Sequence, residues 1–313
     1  MVVWARHPLT DGARAMPSEI VVDQRGVRLA AWHVPATTED LRGPGGRPCV
    51  VMAHGFGATR DSGLLPFAER FAAAGAEVVV FDYRGFGASE GEPRQLVDHR
   101  RHREDYHAAI ARARAIEGVD PDRIVLWGSS YSGGHVVAVA ARDTRIAGVI
   151  SQGAAMDGLA AVAEILRYAG PRQLLKVSAH AVRDAVGSLV GAPPHLVGVV
   201  GPPGATAAIT AADAEPGYGA ITGPTFRNEM PARGILAIPF NRPVADASRL
   251  RCPMLVVVAA ADSIAPPAAV RAAARRAGGP VEVLELDCGH FDIYVGEAFA
   301  TSVAAQVAFL ETI

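Results

Sequence analysis

Apolar residues recur along this chain in short, β-branched-rich blocks, with longer mixed stretches between them. The blocks at 49–53, 77–81, 124–127, 146–151 and 254–258 predict strands, and 281–286, Val-Glu-Val-Leu-Glu-Leu, alternates with the period-two signature of another. The runs 19–22 and 27–34 predict a hairpin turned at Gln24-Arg25-Gly26. Helical spacing fills 64–74, 100–116 and 134–141, with Tyr106, Ala109, Ile110 and Ala113 along one apolar face of the second. Strands that alternate with helices predict a mostly parallel sheet with helices on both faces.

The alternation stops between 154 and 247. That interval is far longer than an ordinary connection between a strand and a helix. It holds two helix-like stretches, 159–168 and 173–190, then proline pairs at Pro193-Pro194 and Pro202-Pro203. Its apolar content is too high for easy solvation, so it predicts a helical cap rather than a disordered insertion. The division expected is therefore a core of 1–153 and 248–313 around a cap of 154–247.

Composition narrows the class. The chain has 313 residues, half of them hydrophobic and one fifth charged, enough for one large α/β domain with an insertion. A formal net charge of −2 favours neither nucleic acid nor an acidic membrane surface as a partner. Residues 1–16 contain Arg6, His7, Pro8 and Asp11 and do not read as a signal peptide. The most apolar long run, 196–212, is interrupted by Pro202, Pro203 and three glycines, so no membrane span is expected. Cys49, Cys252 and Cys288 are odd in number and lack metal-ligand spacing, which predicts reduced thiols in a cytoplasmic protein. His99, His102 and His107 lie among Arg100, Arg101 and Arg103. Arginines would repel a metal there, so this stretch reads as a solvated, mixed-charge helix face, and no metal or cofactor is expected. Asp61 and Asp98 fall in loops near the inferred active edge.

The chemistry is concentrated after the strand 124–127. Gly128-Ser129-Ser130-Tyr131-Ser132-Gly133-Gly134 carries a serine flanked at two residues on either side by small residues. A nucleophilic serine on a sharp strand-to-helix turn needs that spacing, because larger residues would hold strand and helix apart. Ser130 satisfies it with Gly128 and Ser132. Ser129 would set Trp127 and Tyr131 at the flanks and is rejected. Ser132 is sterically possible but sits two residues deeper in the helix. Asp262 follows the strand 254–258, and His290 follows the strand 281–286. In that chain order His290 can take the serine proton, and Asp262 can orient the imidazole. His54-Gly55-Phe56-Gly57, after 49–53, is a turn that can present a backbone N–H. Phe56 and Tyr131 are the expected oxyanion donors, the second at a helix N-terminus. His54 is a candidate substrate contact or a buttress of the turn, rather than the base.

As a set, these motifs, together with Asp82-Tyr83-Arg84-Gly85-Phe86-Gly87-Ala88-Ser89, resemble the α/β-hydrolase superfamily, nearest its esterase, dienelactone-hydrolase and Xaa-Pro-peptidase-like groups. The resemblance covers the chain from about Cys49 onward. It departs at Ser132, where the family usually has glycine. It implies an α/β-hydrolase fold with an eight-stranded sheet, acyl transfer through a covalent serine ester, and a cap that shapes the pocket. Tyr168, Phe226 and Phe240 are the candidate lining residues, and Arg227-Asn228-Glu229 a candidate polar contact. The expected activity is a serine hydrolase acting on a small-molecule ester, lactone or thioester. The alternatives are a lyase that eliminates an acyloxy group, a small-peptide peptidase, or an inactive binding protein of this fold. A homo-oligomer is compatible with the sequence.

Overall fold

The computed structural model describes residues 16–313; the signal-peptide reading concerns residues outside that range. One sheet of eight strands organises the molecule. β1 (Ser18–Gln24) and β2 (Val27–Val34) form the predicted hairpin. β3 (Arg47–Ala53), β4 (Glu77–Phe81), β5 (Val119–Ser129) and β6 (Ile146–Gln152) follow. β10 (Met254–Ala259) and β11 (Val281–Leu286) complete it, giving the order β1-β2-β4-β3-β5-β6-β10-β11. β2 is antiparallel to both neighbours, and every pair from β4 to β11 is parallel.

The period of two along each strand sends alternate residues into two cores. On β3, Cys49, Val51 and Ala53 face one core with α2 (His99–Arg114), α3 (Tyr131–Ala140) and α6 (Pro267–Arg276). Val50 and Met52 face the other, with α1 (Leu65–Ala73) and α7 (Gly296–Leu310). Both faces are thus covered, as parallel sheets require.

Between β6 and β10 lies the insertion. α4 (Gly158–Leu189) is two helices joined at a kink, where Gly170 takes φ 75°, ψ 172° and Pro171 follows. Pro171 cannot continue the first helix, and Gly170 supplies the positive φ that redirects the chain. These are the two helices expected from the sequence. The strands of the insertion were not expected. β7 (Leu196–Val200) pairs in parallel with β8 (Ala207–Ile209) and antiparallel with β9 (Met230–Pro231). The apolar run 196–212 is therefore two strands turned at Pro202-Pro203. No helix among the described residues is long and apolar enough to cross a membrane.

The reading of 99–107 as a solvated face is corrected for two of its three histidines. His107 is exposed, but His99 and His102 are buried. His102 stacks on Tyr83 with ring centroids 4.0 Å apart and lies 5.6 Å from His135 of α3. The helical period explains this. His99 and His102 extend the buried row of Tyr106, Ala109 and Ala113 toward the helix N-terminus, while the arginines project between. Asp98 is the helix N-cap, accepting from the N–H of Arg100 and Arg101.

Candidate active site

Ser130 sits between β5 and α3 with φ 58° and ψ −121°. A non-glycine residue rarely takes positive φ, and holding it there costs on the order of 1–3 kcal/mol. The surrounding turn enforces it. A Cβ on Gly128 would lie 2.3 Å from the Ser132 carbonyl oxygen, and one on Gly133 2.7 Å from Ala154 Cβ. Only glycine allows so close an approach at these positions. Ser132 is part of the scaffold: its hydroxyl accepts from Ser129 N at 2.9 Å and lies 2.8 Å from Ala53 O, as a donor bridging β3 to the turn. A small hydroxyl in place of the usual glycine thus adds a tie between the turn and the neighbouring strand.

The three residues inferred from sequence converge. Ser130 Oγ lies 3.0 Å from His290 Nε2, and His290 Nδ1 lies 2.6 Å from Asp262 Oδ2. The other carboxylate oxygen of Asp262 accepts from Ile264 N at 2.8 Å and Ala265 N at 2.7 Å, so its orientation is fixed by its own loop. Asp292 instead accepts from Gly289 N at 2.7 Å and shapes the loop that carries His290. Burial lowers the pKa of His290, but the Asp262 carboxylate more than offsets it and holds the imidazole above the usual histidine value.

Phe56 and Tyr131 flank Ser130. Tyr131 is the first residue of α3, where an N–H has no acceptor within the helix. A Cβ on Gly55 would stand 3.0 Å from Ser130 Cβ, so a glycine is what lets the turn after β3 pass the serine this closely. The insertion fixes this turn from outside, through Tyr218 of α5 (Ala214–Ile221), whose OH donates to Phe56 O at 2.6 Å.

An apolar cleft opens over Ser130 and encloses about 660 Å³ of empty space, its open mouth included. Ala161, Ile165 and Tyr168 of α4, Ile209 of β8 and Ile264 line it. Tyr168 is therefore where the sequence placed it, whereas three other candidates are corrected. His54 is 1% exposed and packs against Tyr83 and Phe86 beneath the turn, out of reach of a ligand. Phe226 packs on Tyr218, and Phe240 is 75% exposed on the outer side of the insertion. Asn228 bonds both main-chain polar groups of Val200, tying β7 in place of a strand partner. Asp61 accepts from Thr225, another tie between sheet and insertion.

Sequence reasoning missed Asp157 and Asn241, which also line the cleft. It also missed a buried polar network behind Ser130. Gln152 Oε1 accepts from Ser302 Oγ and Gln306 Nε2, and Gln306 Oε1 accepts from Trp127 Nε1 at 2.7 Å. Tyr294 OH donates to Ser129 Oγ at 2.6 Å. A helical Ser302-x-x-x-Gln306 pair on an otherwise apolar face of α7 was the available signal.

The alpha/beta hydrolase fold family matches residues 48–297. The quorum-quenching protein AidA of Acinetobacter baumannii is 42% identical over 299 residues, covering 95% of each chain. Polyketide transferase af380 of Aspergillus fumigatus is 28% identical, over 91% of this chain and 94% of its own. Among solved structures, DcsB in complex with a substrate analogue superposes with a TM-score of 0.80 at 22% identity, over 95% of this chain and 99% of its own. The alpha/beta hydrolase GrgF from Penicillium superposes at 0.76 and 23%, over 95% and 98%. With the sheet order, the strained serine turn and the family match in agreement, the chain belongs to the α/β-hydrolase family.

Proposed function

We propose that this protein is a serine hydrolase that cleaves an ester, lactone or thioester bearing an apolar acyl group. The observation that carries the reading is the hydrogen-bonded chain Ser130–His290–Asp262 opening into an apolar cleft. His290 Nε2 takes the Ser130 proton as Oγ adds to the substrate carbonyl carbon. The N–H groups of Phe56 and Tyr131 receive the oxyanion that forms. His290 returns the proton to the leaving oxygen or sulfur, and the acyl-enzyme remains. Water, activated by His290, then releases the acid and restores Ser130. The insertion acts as a cap that excludes bulk water and supplies the acyl-facing wall.

Elimination is disfavoured by the remaining acid in the cleft. Burial raises Asp157, but its paired bond to Arg242 and its cap on Leu159 N bring it below the ordinary carboxylate value, so it is a poor proton acceptor. The relative named as a quorum-quenching protein supports a small signal molecule as substrate. The relative named as a polyketide transferase supports a second reading, in which a nucleophile other than water takes the acyl group.

A fluorophosphonate probe should label the native protein at Ser130, and Ser130→Ala should abolish labelling and lower ester turnover by several orders of magnitude. Turnover in ¹⁸O water should leave one solvent oxygen in the released acid. Labelling that persists in Ser130→Ala, or an acid without solvent oxygen, would refute the hydrolase reading.

A further inference from the structure

The cleft is largely apolar; at one corner Asn241 and Tyr131 line it, with Arg103 behind Asn241. Asn241 is 2% exposed yet lines the cleft. Its main chain is clamped on both sides, N–H to Ile238 O at 3.0 Å and C=O from Gly158 N at 2.8 Å. Its side chain is held from behind by α2: Arg103 Nη2 donates to Asn241 Oδ1 at 2.6 Å. A guanidinium has no acceptor, so this contact settles which end of the amide is which. The oxygen is taken by Arg103, and of the two N–H donors on the nitrogen one can face the Tyr131 hydroxyl while the other is left for a further partner.

The rest of the corner is also rich in donors. Arg103 Nε is buried without a hydrogen-bond partner, and the buried Tyr131 hydroxyl stands beside the Asn241 side chain. No carboxylate of the described residues forms an ion pair with Arg103; the nearby Asp246 is engaged by Arg142 and Arg249. Asp157, the acid that does line the cleft, is turned to Arg242. A buried donor left unpaired costs free energy, so a corner of this kind favours a ligand that brings an acceptor. Arg103 itself does not line the cleft. The group presented to the ligand is therefore a neutral amide, which suits a neutral carbonyl oxygen rather than a carboxylate.

We infer that Asn241, oriented by Arg103, is a specificity residue that donates a hydrogen bond to a second carbonyl oxygen in the substrate, separate from the carbonyl under attack. The inference rests on Ser130 being the nucleophile of this cleft. It narrows the substrate class to acyl compounds with an oxo or amide carbonyl along an otherwise apolar chain. Sites built to pair a substrate's polar group reject the analogue that lacks it, because their own buried group is then left unmatched.

The test compares p-nitrophenyl decanoate with its analogues carrying a ketone at the third, fifth or seventh carbon. The native enzyme should turn over at least one oxo ester with a kcat/KM about 10-fold above the plain ester, the discrimination of one hydrogen bond. Asn241→Leu, and Asn241→Asp, which keeps the shape and the Arg103 contact but not the NH₂ donors, should both bring that ratio to about one. Because the readout is a ratio within each enzyme, a general loss of activity cancels. A second measurement removes the chemistry: Ser130→Ala protein should bind the matching oxo methyl ester more tightly than methyl decanoate by a similar factor. Native enzyme that favours none of the oxo esters, a preference that survives both Asn241 variants, or equal binding by Ser130→Ala protein would overturn the assignment. If instead native protein cleaves no ester while Ser130→Ala protein still prefers the oxo ligand, the hydrolase reading fails and the Asn241 subsite stands.

Discussion

The sheet and the insertion solve opposite problems with the same kinds of residue. In the sheet, β3, β4, β10 and β5 from Ile124 onward bury nearly every side chain, and each strand's register is fixed by two neighbours. In the insertion, α4 buries Gln173, Val177, Ala181 and Asp184 on one face and leaves Leu175, Val182, Val186 and Leu189 exposed on the opposite one. Most large apolar side chains that remain exposed in the described residues belong to this segment, with Leu189 at 85% and Val190 at 81%. The groups we propose to react stand on the over-determined part, and much of the cleft wall comes from the part with fewer constraints. Ser130, Asp262 and His290 each follow a sheet strand, whereas Tyr168, Ile209 and Asn241 are contributed by the insertion. Positioning to a fraction of an ångström needs rigid support, and pocket shape tolerates variation.

The sharpest way to test that division is to disturb the sheet side without moving it. Asp262→Asn leaves the packing intact but lets His290 adopt the wrong tautomer, and kcat on an activated ester should fall about ten-thousandfold. The same variant has a pH signature. His290 must be neutral to act as base, and Asp262 holds its pKa above 6.5. Activity of the native enzyme should therefore rise with pH through a midpoint above 6.5. In the variant the Asp262 charge is gone and burial is opposed only by the more distant Asp213 carboxylate, so the midpoint of the residual activity should move down. An unshifted midpoint would mean that another group governs the profile.

Stability provides the next contrast. Trp127 is fully buried on β5 and bonded to Gln306. Trp127→Ala should lower the unfolding free energy by about 3–5 kcal/mol, read from the urea midpoint. Val186→Ser, on the exposed stripe of α4, should move it by no more than about 0.5 kcal/mol. A larger loss from Val186→Ser would show that this stripe is covered in solution, for instance by a second copy of the chain, and would erase the contrast.

What could be read from the sequence follows the same division. The strands and the serine turn were legible because their signals are local: β-branched runs, small residues at fixed offsets, and an acid and a histidine just past strand ends. The kink in α4 was legible too, since Gly170-Pro171 interrupts a helical pattern. β7, β8 and β9 were not, because strands of two to five residues are specified by their partners rather than by their own period. Phe226 and Phe240 were misplaced for a related reason: an aromatic in an irregular segment carries no periodic signal of which side it faces. Asn241 is seen only in three dimensions, since its role depends on Arg103, distant in sequence on α2. His99 and His102 could have been found by extending the row of Tyr106 and Ala109 back by one helical turn and then another.

Those two histidines, with His54 and His135, make the interior behind Ser130 answer to proton concentration. Burial holds His54 and His99 down to about 4, and His102 and His135 well below the free value of 6.5. In the unfolded chain the same imidazoles bind protons as soon as the pH drops past about 6.5, while in the folded protein they stay neutral. The unfolded state therefore gains protons that the native state refuses, and each ring removes up to about 1.4 kcal/mol of stability per pH unit as the solution is acidified. Urea midpoints should fall between neutrality and pH 5, the fall being partly offset by Asp82, which burial raises to about 6, and by His290, and His102→Gln with His135→Gln should flatten it. A fold with this interior should be easier to unfold as its surroundings turn acidic.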